Sequence, residues 1–133
     1  MLKTYRGSCH CETVTFEADA DLSQATYRCN CSVCSRTRFW PTLVKPEGFR
    51  LLTGEAALTQ YRFNTRKNHH YFCSICGVRP FGIGNDTPLG KVFGVNVMCL
   101  EGVTDEEFAR IPITYVDGRN DQWERAPAVF SHL

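Results

Sequence analysis

The sequence has no long apolar run and no excess of charge. No segment of its 133 residues approaches the ~20 consecutive apolar residues of a membrane-spanning helix. Residues 1–7 lack the apolar stretch of a signal peptide, so we expect a protein of the reducing cytoplasm. The 15 Lys and Arg residues nearly balance 14 Asp and Glu residues, for a net charge of +1. Neither nucleic acid nor a membrane surface is therefore an expected partner.

Internal repeats, low-complexity tracts and linker-like segments are also absent. A chain of this length can bury a core without disulfides or metal ions. We therefore predict a single domain over residues 1–133. The sequence does not decide between a monomer and a homo-oligomer.

Strand patterns dominate the chain. Segments that alternate, or that are rich in β-branched and aromatic residues between turn residues, predict strands at 12–17, 25–30, 39–44, 58–64, 69–74 and 91–100. Near the C-terminus, Thr104 and Glu107 form a capping box that begins a helix, and Pro112 ends it. The prediction is a mainly β fold with one short C-terminal helix.

Cysteine is what the chain has in abundance. Seven of its eight cysteines fall into three clusters, and Cys99 stands alone. Without a secretion signal, Cys-x-Cys and Cys-x-x-Cys spacings favour metal binding over disulfides. The three clusters are Cys9 with Cys11, Cys29 with Cys31 and Cys34, and Cys73 with Cys76.

The two pairs together predict a closed, structural zinc site. Cys73-x-x-Cys76-Gly77 has the spacing of a zinc knuckle, in which a tight turn directs both sulfurs at one ion. A thioredoxin-like redox pair is the rival interpretation, but that motif opens a helix, and the residues before Cys73 are strand-like. Cys9 and Cys11 supply the two further ligands, and His10 between them is expected to point away from the metal.

The triplet Cys29, Cys31 and Cys34 predicts a second zinc with an open coordination position. The alternative is that Cys99 completes this site. Because Cys99 alternates with Phe93, Val95 and Val97 in a predicted strand, we expect a buried core cysteine instead. Zinc binds incoming thiols well, and coordination removes the proton from a thiol that is mostly protonated at neutral pH. An open zinc of this kind suits thiol chemistry.

The chain resembles the glutathione-dependent formaldehyde-activating family, which includes the centromere protein V type of domain. The matching segments are Gly7-Ser8-Cys9-His10-Cys11, Cys29-Asn30-Cys31-Ser32-Val33-Cys34, Phe49-Arg50-Leu51-Leu52-Thr53-Gly54, Tyr71-Phe72-Cys73-Ser74-Ile75-Cys76-Gly77 with Pro80-Phe81, and Asp117-Gly118-Arg119-Asn120. The chain departs from the family pattern at Glu12, Ser35 and Trp123.

The resemblance implies a zinc-binding β-tent of the methionine-R-sulfoxide reductase B type. It also implies a structural zinc on Cys9, Cys11, Cys73 and Cys76 and a catalytic-type zinc on Cys29, Cys31 and Cys34. The activity it implies is the formation of S-hydroxymethylglutathione from formaldehyde and glutathione, classed as a carbon–sulfur lyase running in reverse.

The sequence thus predicts an enzyme that adds glutathione or a similar thiol to formaldehyde or another small aldehyde, or reverses that addition. The alternative is a non-catalytic, zinc-stabilised protein-binding module. No general acid is assigned, and His69 and His70 are expected in an exposed strand. The cationic candidates for binding a substrate carboxylate are Arg36, Arg38, Arg62, Arg66 and Lys67. The candidate pocket residues are Phe39, Trp40, Phe72, Phe81 and Asn96. We expect the four aromatic residues mainly in the core.

Overall fold

Short strands account for most of the regular structure, because the chain alternates β-branched and aromatic residues between turns. The computed structural model describes residues 1–133. Strand makes up 38% of the chain and helix 18%, which confirms the mainly β prediction. The strands are β1 Lys3–Ser8, β2 Thr15–Ala20, β3 Thr26–Cys29, β4 Pro41–Val44, β5 Phe49–Thr53, β6 Leu58–Tyr61, β7 His69–Cys73, β8 Phe81–Gly84, β9 Val92–Asn96 and β10 Ile113–Val116; the α-helices are α1 Ser32–Thr37 and α2 Asp105–Arg110.

The strands form three sheets. A five-stranded antiparallel sheet has the order β4-β9-β8-β7-β6, and a three-stranded antiparallel sheet has the order β1-β2-β5. The third sheet is the parallel pair β3 and β10, in which Cys29 lies opposite Val116. This pair brings the residues after β3 next to residues from the end of the chain.

The main core lies between the two larger sheets. Phe16 from β2 is fully buried against Val95 and Phe81 of the five-stranded sheet. Phe49 stacks on Phe93 with ring centroids 4.4 Å apart, which closes one side of this core. Full burial of a side chain such as Phe16 stabilises the fold by roughly 1.5–3 kcal/mol. The core therefore holds the sheets together independently of any metal.

Both helices begin with a side-chain cap. Thr104 Oγ1 accepts a hydrogen bond from the Glu107 amide (3.1 Å), as the capping box predicts. Cys31 Sγ accepts from the Cys34 amide (3.4 Å) at the start of α1. The prediction of one short helix thus omitted α1, which begins after Cys31 and contains Cys34. Neither helix is long and apolar enough to span a membrane.

Two predicted strands are shorter than their sequence patterns. The predicted strand 91–100 ends at Asn96, because its side chain accepts a hydrogen bond from the Met98 amide (3.1 Å) and starts the 3-10 turn Val97–Cys99. The alternation that placed Cys99 on a strand face was therefore wrong, although Cys99 does pack, half-buried, against the main core. The predicted strand 58–64 ends at Tyr61, before a turn with positive φ at Asn64.

Candidate metal sites and the adjoining cleft

The first cysteine group joins the end of β1 to the end of β7. The Sγ atoms of its four members lie within 4.8 Å of one another, a separation at which they could hold one metal ion. Cys11 Sγ lies 3.6 Å from Cys9 Sγ and 3.7 Å from Cys73 Sγ. The fourth member is Cys76, and Gly77 follows it with φ of 76°, a conformation that glycine adopts without strain. The structure therefore brings together the two pairs that were predicted to share a site.

Two members of the four-cysteine group belong to the protein interior, whereas Cys11 is exposed. Cys9 and Cys73 are buried and form a small core cluster with Val14, whose amide donates to Cys9 Sγ (3.4 Å). Burial raises the pKa of Cys9 to about 11. Burial acts in the same direction on Cys76, but hydrogen bonds from the backbone of Cys11 and Val78 outweigh it and lower its pKa to about 6.

The second group surrounds the start of α1. The sulfurs of Cys29, Cys31 and Cys34 also lie within 4.8 Å of one another and could hold a metal ion, and all three residues are half-buried. The Cys31 amide donates to Cys29 Sγ (3.3 Å), so the backbone is folded around the sulfurs. Hydrogen bonds from Cys29 and Cys34 lower the pKa of Cys31 to about 2, and the pKa of Cys34 is raised by its contacts with the other two sulfurs.

The turn after β10 supports this second group. The buried side chain of Asn30 donates to Asp117 Oδ1 (2.9 Å), and its own oxygen accepts from the Arg119 amide (2.9 Å). A Cβ atom at Gly118 would overlap Cys29 Sγ, so only glycine allows the turn to approach the sulfur this closely. The Asp117-Gly118-Arg119-Asn120 motif thus has a physical role: it fixes the backbone that carries Cys29 and Cys31.

Cys99 belongs to neither group. Its sulfur is not among those that lie within 4.8 Å of one another in either group, and its side chain packs against the main core. Burial raises its pKa to about 12. The alternative in which Cys99 completes the three-cysteine site is therefore wrong.

A cleft of about 540 Å³ lies between α1 and the β6–β7 hairpin. Aromatic side chains form much of one wall: Tyr61, Phe63, Tyr71 and Phe72. The other wall is the face of α1 that carries Ser32, Val33, Arg36 and Thr37. Because a helix turns once every 3.6 residues, Cys31 and Cys34 project from the opposite face of α1. The helix therefore separates most of the cleft from the sulfurs.

Arg79 connects the cleft with the three-cysteine group. It lines the cleft, and Cys34 and Cys31 act on its guanidinium. Its Nη2 donates to His70 Nδ1 (2.6 Å), and its Cζ lies 3.8 Å from the centroid of the Phe39 ring. Burial lowers the pKa of Arg79. The pKa of His70 is lowered to about 4, mainly by burial and secondarily by the positive charge of Arg79. His70 is half-buried at the cleft, so the expectation of an exposed histidine was wrong.

Arg79 was missed by the sequence analysis. A cationic residue between the knuckle glycine Gly77 and the buried Pro80-Phe81 pair was the available signal. Such a position forces the charge toward the interior unless the chain turns outward. The signal became clear only with the fold, because the partners of Arg79 come from β7, α1 and the segment before β4.

The cationic candidates are spread over the surface. Arg36 lines the cleft, and Arg38 ends α1 near Cys29 and Cys34, where its Nη1 donates to the His132 carbonyl (3.0 Å). The other three are exposed and do not line the cleft; they are Arg62, Arg66 and Lys67.

Most aromatic candidates belong to the core. Phe39, Trp40 and Phe81 are buried, whereas Phe72 is partly exposed on the cleft. Asn96 caps the turn after β9 and donates to the Arg79 carbonyl (2.9 Å), so it supports the cleft without lining it.

All seven clustered cysteines lie in the part of the chain that matches one sequence family. The profile described as "Glutathione-dependent formaldehyde-activating enzyme" matches residues 4–117. The chain belongs to this family. A crystal structure of a Rhodobacter sphaeroides protein, a Northeast Structural Genomics target, is similar to it at 32% identity and a TM-score of 0.70. That alignment covers 82% of this chain and 99% of the other.

Proposed function

We propose that the chain is a zinc-dependent enzyme of the carbon–sulfur lyase type. It adds glutathione or a similar thiol to formaldehyde or another small aldehyde, or reverses this addition. The observation that carries the proposal is the group of exactly three half-buried sulfurs, on Cys29, Cys31 and Cys34, with Cys99 outside it. Three thiolates hold a tetrahedral zinc and leave one position free. Family membership supports the choice of glutathione and formaldehyde.

The four-cysteine group is proposed to hold a structural zinc. Its sulfurs provide a full tetrahedral set, and Cys9 and Cys73 are buried within a core cluster. A metal at this place joins β1 to β7 across a long stretch of chain. Such a cross-link contributes to the free energy of folding because it closes a long loop.

Cys29, Cys31 and Cys34 would hold a zinc ion, which would supply an open coordination position for an incoming thiol and favour its ionised form. The chain supplies the arrangement around that position. The amides of Cys31 and Cys34 donate to Cys29 Sγ and Cys31 Sγ, which favours the ionised sulfurs. Gly118 lets the supporting turn pack against Cys29.

The overall reaction is a balanced addition. The thiol sulfur forms a bond to the carbonyl carbon, the carbonyl π electrons move to the oxygen, and the oxygen takes a proton from water. The proton lost by the thiol goes to solvent, so no oxidant or reductant is needed. The cleft favours a thiol that carries a carboxylate, because the exposed Arg36 lines it and acidic residues do not.

The test is zinc content combined with a thiol titration. We expect two zinc ions per chain. Adding glutathione should change the coordination of one of them, which is monitored by visible absorption after cobalt(II) substitution. Cys34→Ser should weaken only the thiol-sensitive site, whereas Cys73→Ser should reduce folding stability. Cys99→Ser is the matched control, because Cys99 lies outside both groups.

The outcomes separate the enzyme from its alternative. One zinc ion, or two zinc ions that no thiol perturbs, would contradict the proposal and favour a zinc-stabilised binding module. Equal losses of stability in Cys34→Ser and Cys73→Ser would contradict the separate roles of the two sites.

A further inference from the structure

Arg79 is a buried cation without a complete set of partners. Its Nε and Nη1 atoms are shielded from solvent and have no hydrogen-bond acceptor in the structure. Buried polar groups are nearly always paired, so an unpaired guanidinium in a folded protein calls for an explanation. None of the ion pairs in the chain involves Arg79.

The surroundings of Arg79 contain one source of negative charge. His70 accepts from Nη2 and is therefore neutral at Nδ1, and Phe39 offers only its ring face. Asn96 binds the backbone carbonyl of Arg79 and holds this stretch of chain in place. Phe39, whose ring lies 3.8 Å from the guanidinium carbon of Arg79, lines a small pocket together with Cys29 and Cys34. The groups that can carry negative charge near the guanidinium are therefore the thiols of the three-cysteine group, of which Cys34 and Cys31 act on Arg79.

The net charge of a metal-loaded three-cysteine site gives a reason for a nearby guanidinium. Three thiolates and one divalent metal ion carry a net charge of −1, and a thiolate as fourth ligand makes it −2. Excess charge in a partly buried site is costly unless an opposite charge lies nearby. One guanidinium against the sulfurs restores the net charge to −1.

We propose that Arg79 is a positioning residue that provides this counter-charge, so that the three-cysteine site prefers an anionic fourth ligand to a neutral one. The inference rests on the proposed function and deepens it, because it names the charge of the ligand that the site selects. His70 and Phe39 hold the guanidinium in place. The Nε and Nη1 atoms are shielded from solvent, so they are not a contact for a distant substrate carboxylate.

The test compares two small ligands of different charge on the cobalt(II)-loaded protein. The probes are 2-mercaptoethanol, which binds as a thiolate, and imidazole, which binds as a neutral molecule. Visible absorption reports the binding of each to the cobalt ion. The variants are Arg79→Met, Arg79→Lys and the control Arg62→Met, which removes an exposed arginine outside the cleft.

We expect Arg79→Met to raise the Kd for 2-mercaptoethanol by roughly 10- to 100-fold, the usual effect of removing a group that supports metal ligands. The Kd for imidazole should change by less than about threefold, since a neutral ligand gains little from a counter-charge. The pH at which half of the thiol is bound should rise in Arg79→Met. Arg79→Lys should restore most of the thiol affinity, and Arg62→Met should match the wild type.

Each other result has a definite meaning. Equal weakening of both ligands would show that Arg79 only maintains structure, and unchanged thiol affinity would overturn the inference directly. Should Arg79→Met fail to fold by circular dichroism, Arg79→Gln provides a second neutral variant with the same expectation. A wild-type protein that binds imidazole but no thiol would refute the proposed function itself. A wild-type protein that binds the thiol, together with an Arg79→Met variant that binds it equally well, would refute only the role of Arg79.

Discussion

Replacing Gly118 with alanine should damage the three-cysteine site and spare the four-cysteine site. The new Cβ would overlap Cys29 Sγ and approach Cη2 of Trp123 to 2.8 Å. Trp123 is 45% exposed and can move aside, but Cys29 is held by its pairing with Val116 and by the Cys31 amide. The strain therefore falls on the sulfur.

Overpacking of this kind costs about 1–3 kcal/mol. If the cost is relieved by displacing Cys29 Sγ, it appears as a loss of roughly 5- to 150-fold in metal affinity at that site. The assay is competition with a chelator, which resolves the affinities of two bound ions. Gly94→Ala is the matched control, because a Cβ there meets Pro41 Cβ at an ordinary distance of 3.4 Å.

A double variant tests the stated cause. In Cys29→Ala, the sulfur that obstructs the new methyl group is absent, so adding Gly118→Ala should cost much less stability than it does in the wild type. Chemical denaturation measures both costs. A Gly118→Ala protein with both metal affinities intact, or an equal cost in both backgrounds, would refute the reasoning.

Three further predictions concern the parts around the sites. Asn30→Ala should destabilise the fold by about 1–3 kcal/mol, measured by urea denaturation, because it leaves buried groups of the supporting turn without their partner. An effect below about 0.5 kcal/mol, the size expected of a neutral surface substitution, would contradict this. Hydrogen bonds from Asn120 and Asn30 lower the pKa of Asp117, so its stabilising contribution is present above the ordinary carboxyl range and is lost as the pH falls through the lowered value. Acid unfolding should therefore be less steep in Asp117→Asn than in the wild type, and identical pH profiles would disprove the contribution. Thr104→Ala should cost about 1 kcal/mol through the lost cap of α2 while both metal affinities stay unchanged, which denaturation and chelator competition would check together.

The local parts of the site could be predicted from the sequence. Cys73 and Cys76 are separated by two residues, a spacing that forms a turn by itself. Thr104 caps its helix by accepting a hydrogen bond from the residue three positions on. Short spacing carries this information because only a few backbone conformations connect such neighbours. The same local rule defines the three cysteine clusters, whereas the joining of the two pairs into one group of four followed from the need of a closed zinc site for four ligands.

The parts built from distant segments could not be predicted. Arg79 is buried only because α1, β7 and Phe39 converge on it, and no window of sequence contains those partners. The parallel pairing of β3 with β10 is likewise a long-range feature, and β10 was not among the predicted strands. The error at Cys99 had a local cause: the side chain of Asn96 ended a strand whose apolar alternation continued.

The packing of Gly118 against Cys29 has a consequence for the order of assembly. A ribosome releases the chain from its N-terminus, and Cys76, the last member of the four-cysteine group, emerges long before β10 and the turn that follows it. The structural site can thus close on an incomplete chain. The three-cysteine site gains its supporting turn only after β10 has been made, so its final geometry forms later than that of the four-cysteine group.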